Sequence, residues 1–151
     1  MFIFTTVIRH QLSDDMVERN YEKYLSVFLW LVAIHSILVG IGLLLVPPSF
    51  LNYFGLQNYK ESFFQAQGGA FHLVVSIAYC MAAIAPHRSS QLINFIISLK
   101  LLAFAFLIIY FIFVLQSWLI LVSGVADGMM GIMVLFLFRL SGIKNGKKLL
   151  V

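Results

Sequence analysis

Apolar residues fill four long stretches of the chain, and short polar or proline-containing segments separate them. A helix needs about 20 apolar residues to cross about 30 Å of hydrocarbon, at about 1.5 Å per residue. All four stretches meet this length, and prolines stop the first two, because proline lacks the N–H group and restricts the residue before it. The pattern predicts membrane-spanning helices over residues 25–46, 63–85, 92–115 and 118–138.

The segments at the two ends of the chain, residues 1–24 and 139–151, lie outside the four predicted membrane spans. Residues 1–24 are predicted to form a cytoplasmic juxtamembrane segment, in which the acidic run Ser13–Asp15 offers a helix start. Apolar positions then repeat at helical spacing towards helix one, so this segment is expected to run into it as a helix. Residues 139–151 are rich in lysine and are expected to form a basic cytoplasmic tail that touches anionic lipid.

Two connections carry structural predictions of their own. A short interfacial helix is expected between helices one and two, capped by Ser49 and ended by Gly55. Only Gln116 and Ser117 separate helices three and four, so these helices are expected to form an antiparallel hairpin. Aromatic residues near these connections would anchor the chain at one membrane surface. They are Phe50, Tyr53, Phe54, Tyr59 and Trp118.

Composition supports a membrane protein and excludes several function classes. Hydrophobic residues make up 62% of the 151 residues and charged residues only 11%, against about 25% charged in soluble domains. A soluble domain of this size leaves about a third of its surface exposed and cannot hide so much apolar area. The one cysteine, Cys80, excludes an internal disulfide and any multi-thiolate metal site. No nucleic-acid-binding module is visible, so nucleic acid is not an expected partner.

The distribution of Lys and Arg predicts the orientation. Eight of these residues lie before helix one, after helix four, or between helices two and three. Only Lys60 lies in the other two connections. Cytoplasmic loops carry the excess of positive charge, so both termini are expected in the cytoplasm. An even number of spans agrees with this. The eight are Arg9, Arg19, Lys23, Arg88, Arg139, Lys144, Lys147 and Lys148.

Each predicted helix contributes one ionisable residue at membrane depth: His35, His72, Lys100 and Asp127. Counted from the cytoplasmic ends at 1.5 Å per residue, they lie about 15, 20, 12 and 16 Å deep. A charged residue at the centre of a membrane helix costs about 2.5–3.5 kcal/mol on insertion scales. We therefore expect these four residues to face the bundle interior as one polar layer.

The polar layer allows several arrangements. Lys100 and Asp127 belong to the two helices of the hairpin and lie about one turn apart in depth, so they either pair or find separate partners. His35 and His72 are expected to be hydrogen-bonded core residues, and the alternative is that they hold a haem iron between them. No other cofactor, no metal site and no catalytic residue set is predicted.

Small residues predict where the helices pack. Gln65, Gly68, His72, Ser76, Tyr79 and Ala83 form a polar and small stripe along helix two. Gly68 and Gly69 are predicted packing positions there. In helix four, Gly124, Gly128 and Gly131 would allow close approach of a neighbouring helix around Asp127.

Three short motifs stand out: Gly40–Pro47 at the end of helix one, Gln65–Phe71 opening helix two, and Ala126–Gly128 in helix four. Taken together, they resemble small four-helix bacterial membrane proteins related to the DoxX-like group. Related sequences often carry an arginine where this chain has Gln65. The resemblance implies a multi-pass protein of the bacterial inner membrane, associated with quinol-linked or respiratory complexes.

The expected function is a single-domain, all-α integral membrane subunit without catalytic activity. It would pack against other membrane proteins or against itself, or hold a lipid or quinone. One alternative is a small proton-coupled carrier or channel that uses His35, His72, Lys100 and Asp127. The other is the bis-histidine haem protein.

Overall fold

The protein is all-helical wherever its structure is described. The computed structural model describes residues 2–55 and 62–143, with side chains from Met16 onward. Four helices within these ranges are long and apolar enough to cross a membrane, as expected for a multi-pass membrane protein. They are α1 (Phe2–Leu45), α2 (Ser62–Ile84), α3 (Ser90–Phe113) and α4 (Trp118–Leu140). Two short 3-10 helices, Pro48–Phe54 and Pro86–Arg88, lie in the connections.

Helix α1 is a single unbroken helix of 44 residues. The juxtamembrane helix and helix one, considered separately in the sequence, are therefore one element, and it begins well before Ser13. At 1.5 Å per residue its length is about 66 Å, more than twice the hydrocarbon thickness. Within the residues whose side chains are described, Met16–Leu45 is long and apolar enough to span a membrane, and a helix of this total length extends beyond the hydrocarbon.

The bundle consists of two closely packed antiparallel pairs. Helix α1 packs along α2, and α3 packs along α4, as predicted for the hairpin. The pairs meet mainly where α1 touches α4, whereas α2 and α3 touch over a much smaller area. The bundle is therefore tight on one side and open between α2 and α3.

Glycines set the closest approach of α1 to α2. A methyl group on Gly40 would lie 2.9 Å from the backbone oxygen of Gly69, and one on Gly69 would lie 2.8 Å from that of Gly40. Gly68 has only an ordinary contact, 3.7 Å to Leu43. Of the two predicted packing glycines in α2, Gly69 therefore makes the close contact, and Gly40 is its unpredicted partner.

The three predicted glycines of α4 all face α3. A methyl group on Gly124 would lie 3.1 Å from Leu107, one on Gly128 2.8 Å from Phe104, and one on Gly131 3.1 Å from Lys100. Close backbone approach through small residues is the usual way that membrane helices associate, because lipid supplies little hydrophobic drive between them.

The fully buried apolar core lies at one end of the bundle. It is built from neighbouring turns of all four helices, around Leu29, Ala82, Ile96 and Val134. The same end carries the α2–α3 connection, where His87 Nδ1 lies 3.1 Å from Glu22 Oε1 of α1. The end of α4 is there too, because a methyl group on Gly142 would touch the Glu18 carboxylate. The predicted cytoplasmic elements thus share one end.

The opposite end carries the 3-10 helix Pro48–Phe54 and the α3–α4 connection. The prediction that Ser49 caps this short helix is wrong, because the helix begins one residue earlier at Pro48 and Pro47 occupies the cap position. Proline suits a first helical position, where its missing N–H is not needed. Gly55 ends the helix as predicted, with φ of 85°.

The α3–α4 connection is longer than predicted. Helix α3 ends at Phe113 and α4 begins at Trp118, so residues 114–117 connect them rather than Gln116 and Ser117 alone. Ser117 is fully buried and its hydroxyl donates to the Phe54 carbonyl at 2.7 Å. This bond joins the two connections at their end of the bundle.

Candidate functional site

Lys100 and Asp127 form an ion pair within the bundle. The Lys100 Nζ lies 2.5 Å from Asp127 Oδ1, and the side chains are only 3% and 12% exposed. The tight α3–α4 contact produces this geometry, because Gly131 leaves room for Lys100 one turn away from Asp127. Of the two arrangements that the sequence left open, the structure shows the pair. Pairing offsets part of the cost of removing both charges from water.

Tyr79 of α2 completes the surroundings of the ion pair. The Lys100 Nζ lies 5.5 Å from the centre of the Tyr79 ring, within the range of a cation–π contact. Tyr79 is almost completely buried. Sequence reasoning placed Tyr79 only on the packing stripe of α2. Its spacing of seven residues from His72, two helical turns on one face, is the signal that links it to the polar layer.

His72 is held by a serine that sequence reasoning missed. The hydroxyl of Ser36 in α1 lies 3.1 Å from His72 Nδ1 and 3.1 Å from the His72 backbone oxygen. A hydroxyl has one hydrogen, so donation to the backbone oxygen requires Nδ1 to carry the ring hydrogen. Ser36 is buried at the α1–α2 contact, and it fixes the ring at the depth of the polar layer.

A cavity of about 550 Å³ lies in the gap between α2 and α3. His72, Lys100 and Asp127 line it together with Tyr79, so three of the four predicted polar residues meet here. The rest of the lining is mostly apolar, as in many small-molecule sites. We call this the lateral cavity.

The lateral cavity opens sideways, towards the lipid. Phe71, Leu102 and Phe106 belong to its lining and are 66%, 71% and 59% exposed. They lie in the membrane-spanning parts of α2 and α3. A molecule dissolved in the bilayer would therefore reach Lys100 and Asp127 without passing through water.

His35 belongs to a different cavity. It lines a space of about 410 Å³ between α1 and α4, with Phe28 and three methionines of α4. His72 lines the lateral cavity instead and contacts Ser36 of α1. The structure does not place His35 and His72 on opposite walls of one cavity, which a bis-histidine haem requires. It therefore gives no support to the haem alternative.

Gln65 has a structural role that the sequence did not reveal. Its Nε2 donates to the backbone oxygens of Leu43 and Val46, at 2.9 and 2.6 Å. These oxygens lie at the end of α1, where backbone acceptors lack partners within the helix. Gln65 thus ties the start of α2 to the end of α1. Its own Oε1 is buried without a partner in the described part of the chain.

The aromatic anchors cluster at the end that carries the α3–α4 connection. The Phe54 ring lies 5.2 Å from that of Trp118, and Phe50 lies 5.8 Å from Tyr53 and 5.2 Å from Phe54. Tyr53 is highly exposed. The predicted anchor Tyr59 lies outside the described residues.

Comparison with protein-family models, curated proteins and solved structures finds no match to this chain. In the described part of the chain, no three His, Cys, Asp or Glu side chains lie together in a way that would hold a metal ion. The ion pair, His72 and the lateral cavity are therefore the features of the described chain that bear on its function.

Proposed function

We propose that this chain is a non-catalytic integral membrane subunit that binds a lipid or quinone in the lateral cavity, within a larger membrane complex. The bacterial inner membrane is its proposed location, with both termini in the cytoplasm. The observation that carries the proposal is the lateral opening of the cavity over a buried polar floor.

The geometry of the cavity matches a molecule with two chemically different parts. A polar group would contact Lys100, Asp127 and His72 at the floor. An apolar tail would lie between the exposed rings of Phe71 and Phe106 at the mouth. Lipids and quinones have this construction, and they are already dissolved in the phase to which the cavity opens.

The subunit part of the proposal has separate support. The described chain consists of little more than the four apolar helices, and the sequence shows no catalytic residue set. Large apolar side chains cover the outer faces of α1 and α3, including Leu38, Leu102 and Phe113. Such faces suit contacts with lipid or with helices of a partner.

Replacing each of two alanines in α3 by tryptophan tests the binding site. Ala103 lines the lateral cavity, whereas Ala105, two residues away, is exposed and absent from that lining. Tryptophan at position 103 would fill the cavity, and tryptophan at position 105 would project into lipid.

We expect the wild-type protein and Ala105→Trp to co-purify with the same lipid-soluble molecule, at similar molar ratios. Ala103→Trp should lose it. The readout is mass spectrometry of the organic extract from protein purified in mild detergent. Equal ligand content in both variants would refute binding in the lateral cavity.

The partner is tested by isolating the protein in mild detergent and identifying the chains that accompany it. The proposal expects a reproducible membrane-protein partner at a fixed ratio. If the chain always elutes as a monomer without companions, the subunit part of the proposal is wrong.

A proton-coupled carrier is the second candidate, because His72, Lys100 and Asp127 line one cavity. Ionisable residues inside membranes often form proton relays. In liposomes this candidate requires a proton or substrate flux that Asp127→Asn abolishes. Absence of any flux with the wild-type protein removes it.

A further inference from the structure

We infer that the lateral cavity selects an amphiphile with an uncharged, hydrogen-bond-accepting head group and rejects anionic lipids. This inference rests on the proposed function and narrows the ligand to a chemical class. Diacylglycerols and isoprenoid quinones belong to this class, whereas phosphatidic acid and fatty acid anions do not.

The charge balance of the floor is the first argument. Lys100 and Asp127 carry opposite charges 2.5 Å apart. They neutralise each other, and the other polar residues that line the cavity, His72 and Tyr79, contribute no fixed charge. An anionic head group would meet the Asp127 carboxylate beside the Lys100 ammonium, with no surplus positive charge to offset its own desolvation.

The depth of the floor is the second, independent argument. Lys100 lies ten residues after the start of α3 at Ser90 and thirteen before its end at Phe113. At 1.5 Å per residue, these are about 15 and 20 Å from the two ends of the helix. The head group would therefore lie near the middle of the bilayer, where a charged group is costly and an uncharged one much less so.

The hydrogen-bonding capacity of the floor is the third argument. The Lys100 ammonium has three hydrogens, and the structure assigns one of them to Asp127 Oδ1. The others can be donated towards the cavity that Lys100 lines. A carbonyl or hydroxyl oxygen on the ligand would accept such a charge-assisted bond, which is stronger than one between neutral groups.

The test measures the dissociation constants of three probes with the full-length protein in detergent micelles, by native mass spectrometry. The probes are dioctanoylglycerol, a ubiquinone with two isoprene units, and dioctanoyl phosphatidic acid. We expect at least one uncharged probe to bind about tenfold or more tightly than phosphatidic acid, which corresponds to about 1.4 kcal/mol. The uncharged probe that binds more tightly identifies whether the head group is that of a diacylglycerol or that of a quinone.

A double variant tests the role of the ion pair in this selection. Lys100→Met together with Asp127→Leu replaces the pair by apolar side chains, a change that buried pairs often tolerate. We expect it to bind the preferred uncharged probe about tenfold more weakly, by loss of the hydrogen bond from Lys100. Unchanged affinity of the folded variant would overturn the inference.

The outcomes separate the inference from the proposed function. If phosphatidic acid binds as tightly as the uncharged probes and Ala103→Trp abolishes all binding, the cavity is a binding site but the head-group class is wrong. If no probe binds the wild-type protein, or if Ala103→Trp binds like Ala105→Trp, both the site and the inference fail.

Discussion

At the scale of single residues, the main feature is that three of the four ionisable residues of the polar layer, Lys100, Asp127 and His72, have a specific polar partner. Lys100 holds Asp127, and Ser36 holds His72. In hydrocarbon no water is present to replace a lost partner, so removing one member leaves the other exposed to an apolar medium. Within the polar layer, Lys100 is therefore coupled to Asp127 and His72 to Ser36, whereas His35 lines a separate cavity.

Asp127→Asn is expected to destabilise the protein by about 3 kcal/mol or more, because it leaves the buried Lys100 charge without its counter-charge. The measurement is the free energy of unfolding in detergent micelles titrated with a denaturing detergent. The control is the double variant Lys100→Met and Asp127→Leu, which should lose less than the single variant. A single variant as stable as the wild type would show that the pair does not hold the bundle together.

Part of this residue-scale picture follows from the sequence and part does not. The four ionisable positions are visible because they interrupt apolar runs, and their depths follow from counting residues. The contacts of Ser36 and Ser117 are not visible, because a serine hydroxyl in a membrane helix can also bond its own backbone. Ser98 does so, donating to the Asn94 oxygen at 2.9 Å.

At the scale of helices, backbone contact at glycines determines which helices pair. Gly40 and Gly69 bring α1 against α2, and three glycines of α4 bring it against α3. In the described residues, no glycine makes a comparable contact between α2 and α3. The lateral cavity lies at this less closely packed boundary.

Gly40→Ala is expected to destabilise the α1–α2 pair, because its methyl group would lie 2.9 Å from the Gly69 backbone oxygen. Overpacking of this kind costs about 1–3 kcal/mol, of which the better helix propensity of alanine offsets up to about 1 kcal/mol. The free energy of unfolding in detergent measures the change.

The matched control is Gly42→Ala in the same helix. A methyl group there meets nothing within 4 Å, so this variant should be as stable as the wild type or slightly more stable. If both alanine variants behave alike, close approach at Gly40 does not limit the packing of α1 and α2.

The helix boundaries were predictable to within about two residues for α2, α3 and α4, because prolines and polar residues mark their ends. The rotation of each helix about its axis was less predictable. In water an apolar stripe identifies the buried face, but lipid is as apolar as a protein core, and helices such as α3 are apolar all round. The preference for Gly69 over Gly68 follows from such a rotation.

At the scale of the whole molecule, the two ends of the bundle have different compositions. One end has the polar contact of Glu22 with His87, and the Glu18 carboxylate lies beside Gly142 there. The other has the rings of Phe50, Phe54 and Trp118. The structure places the elements in this arrangement, and the excess of Lys and Arg predicts which end lies in the cytoplasm.

Single cysteines test this orientation in a Cys80→Ala background. Asn52→Cys and Gln91→Cys place an exposed thiol at opposite ends of the bundle. In spheroplasts of a bacterial host, a membrane-impermeant maleimide should label Asn52→Cys directly and Gln91→Cys only after permeabilisation. Labelling in the reverse order would contradict cytoplasmic termini.

The unbroken α1 continues beyond the predicted bilayer segment at one end of the bundle. About 35 Å of this helix, residues 2–24, precedes the predicted bilayer segment, and Ser36 lies farther along the same helix. A continuous helix transmits rotation about its axis. A protein that binds residues 2–24 and rotates them would therefore also move Ser36, which orients His72. A movement imposed on residues 2–24 would then also displace His72, which lines the lateral cavity.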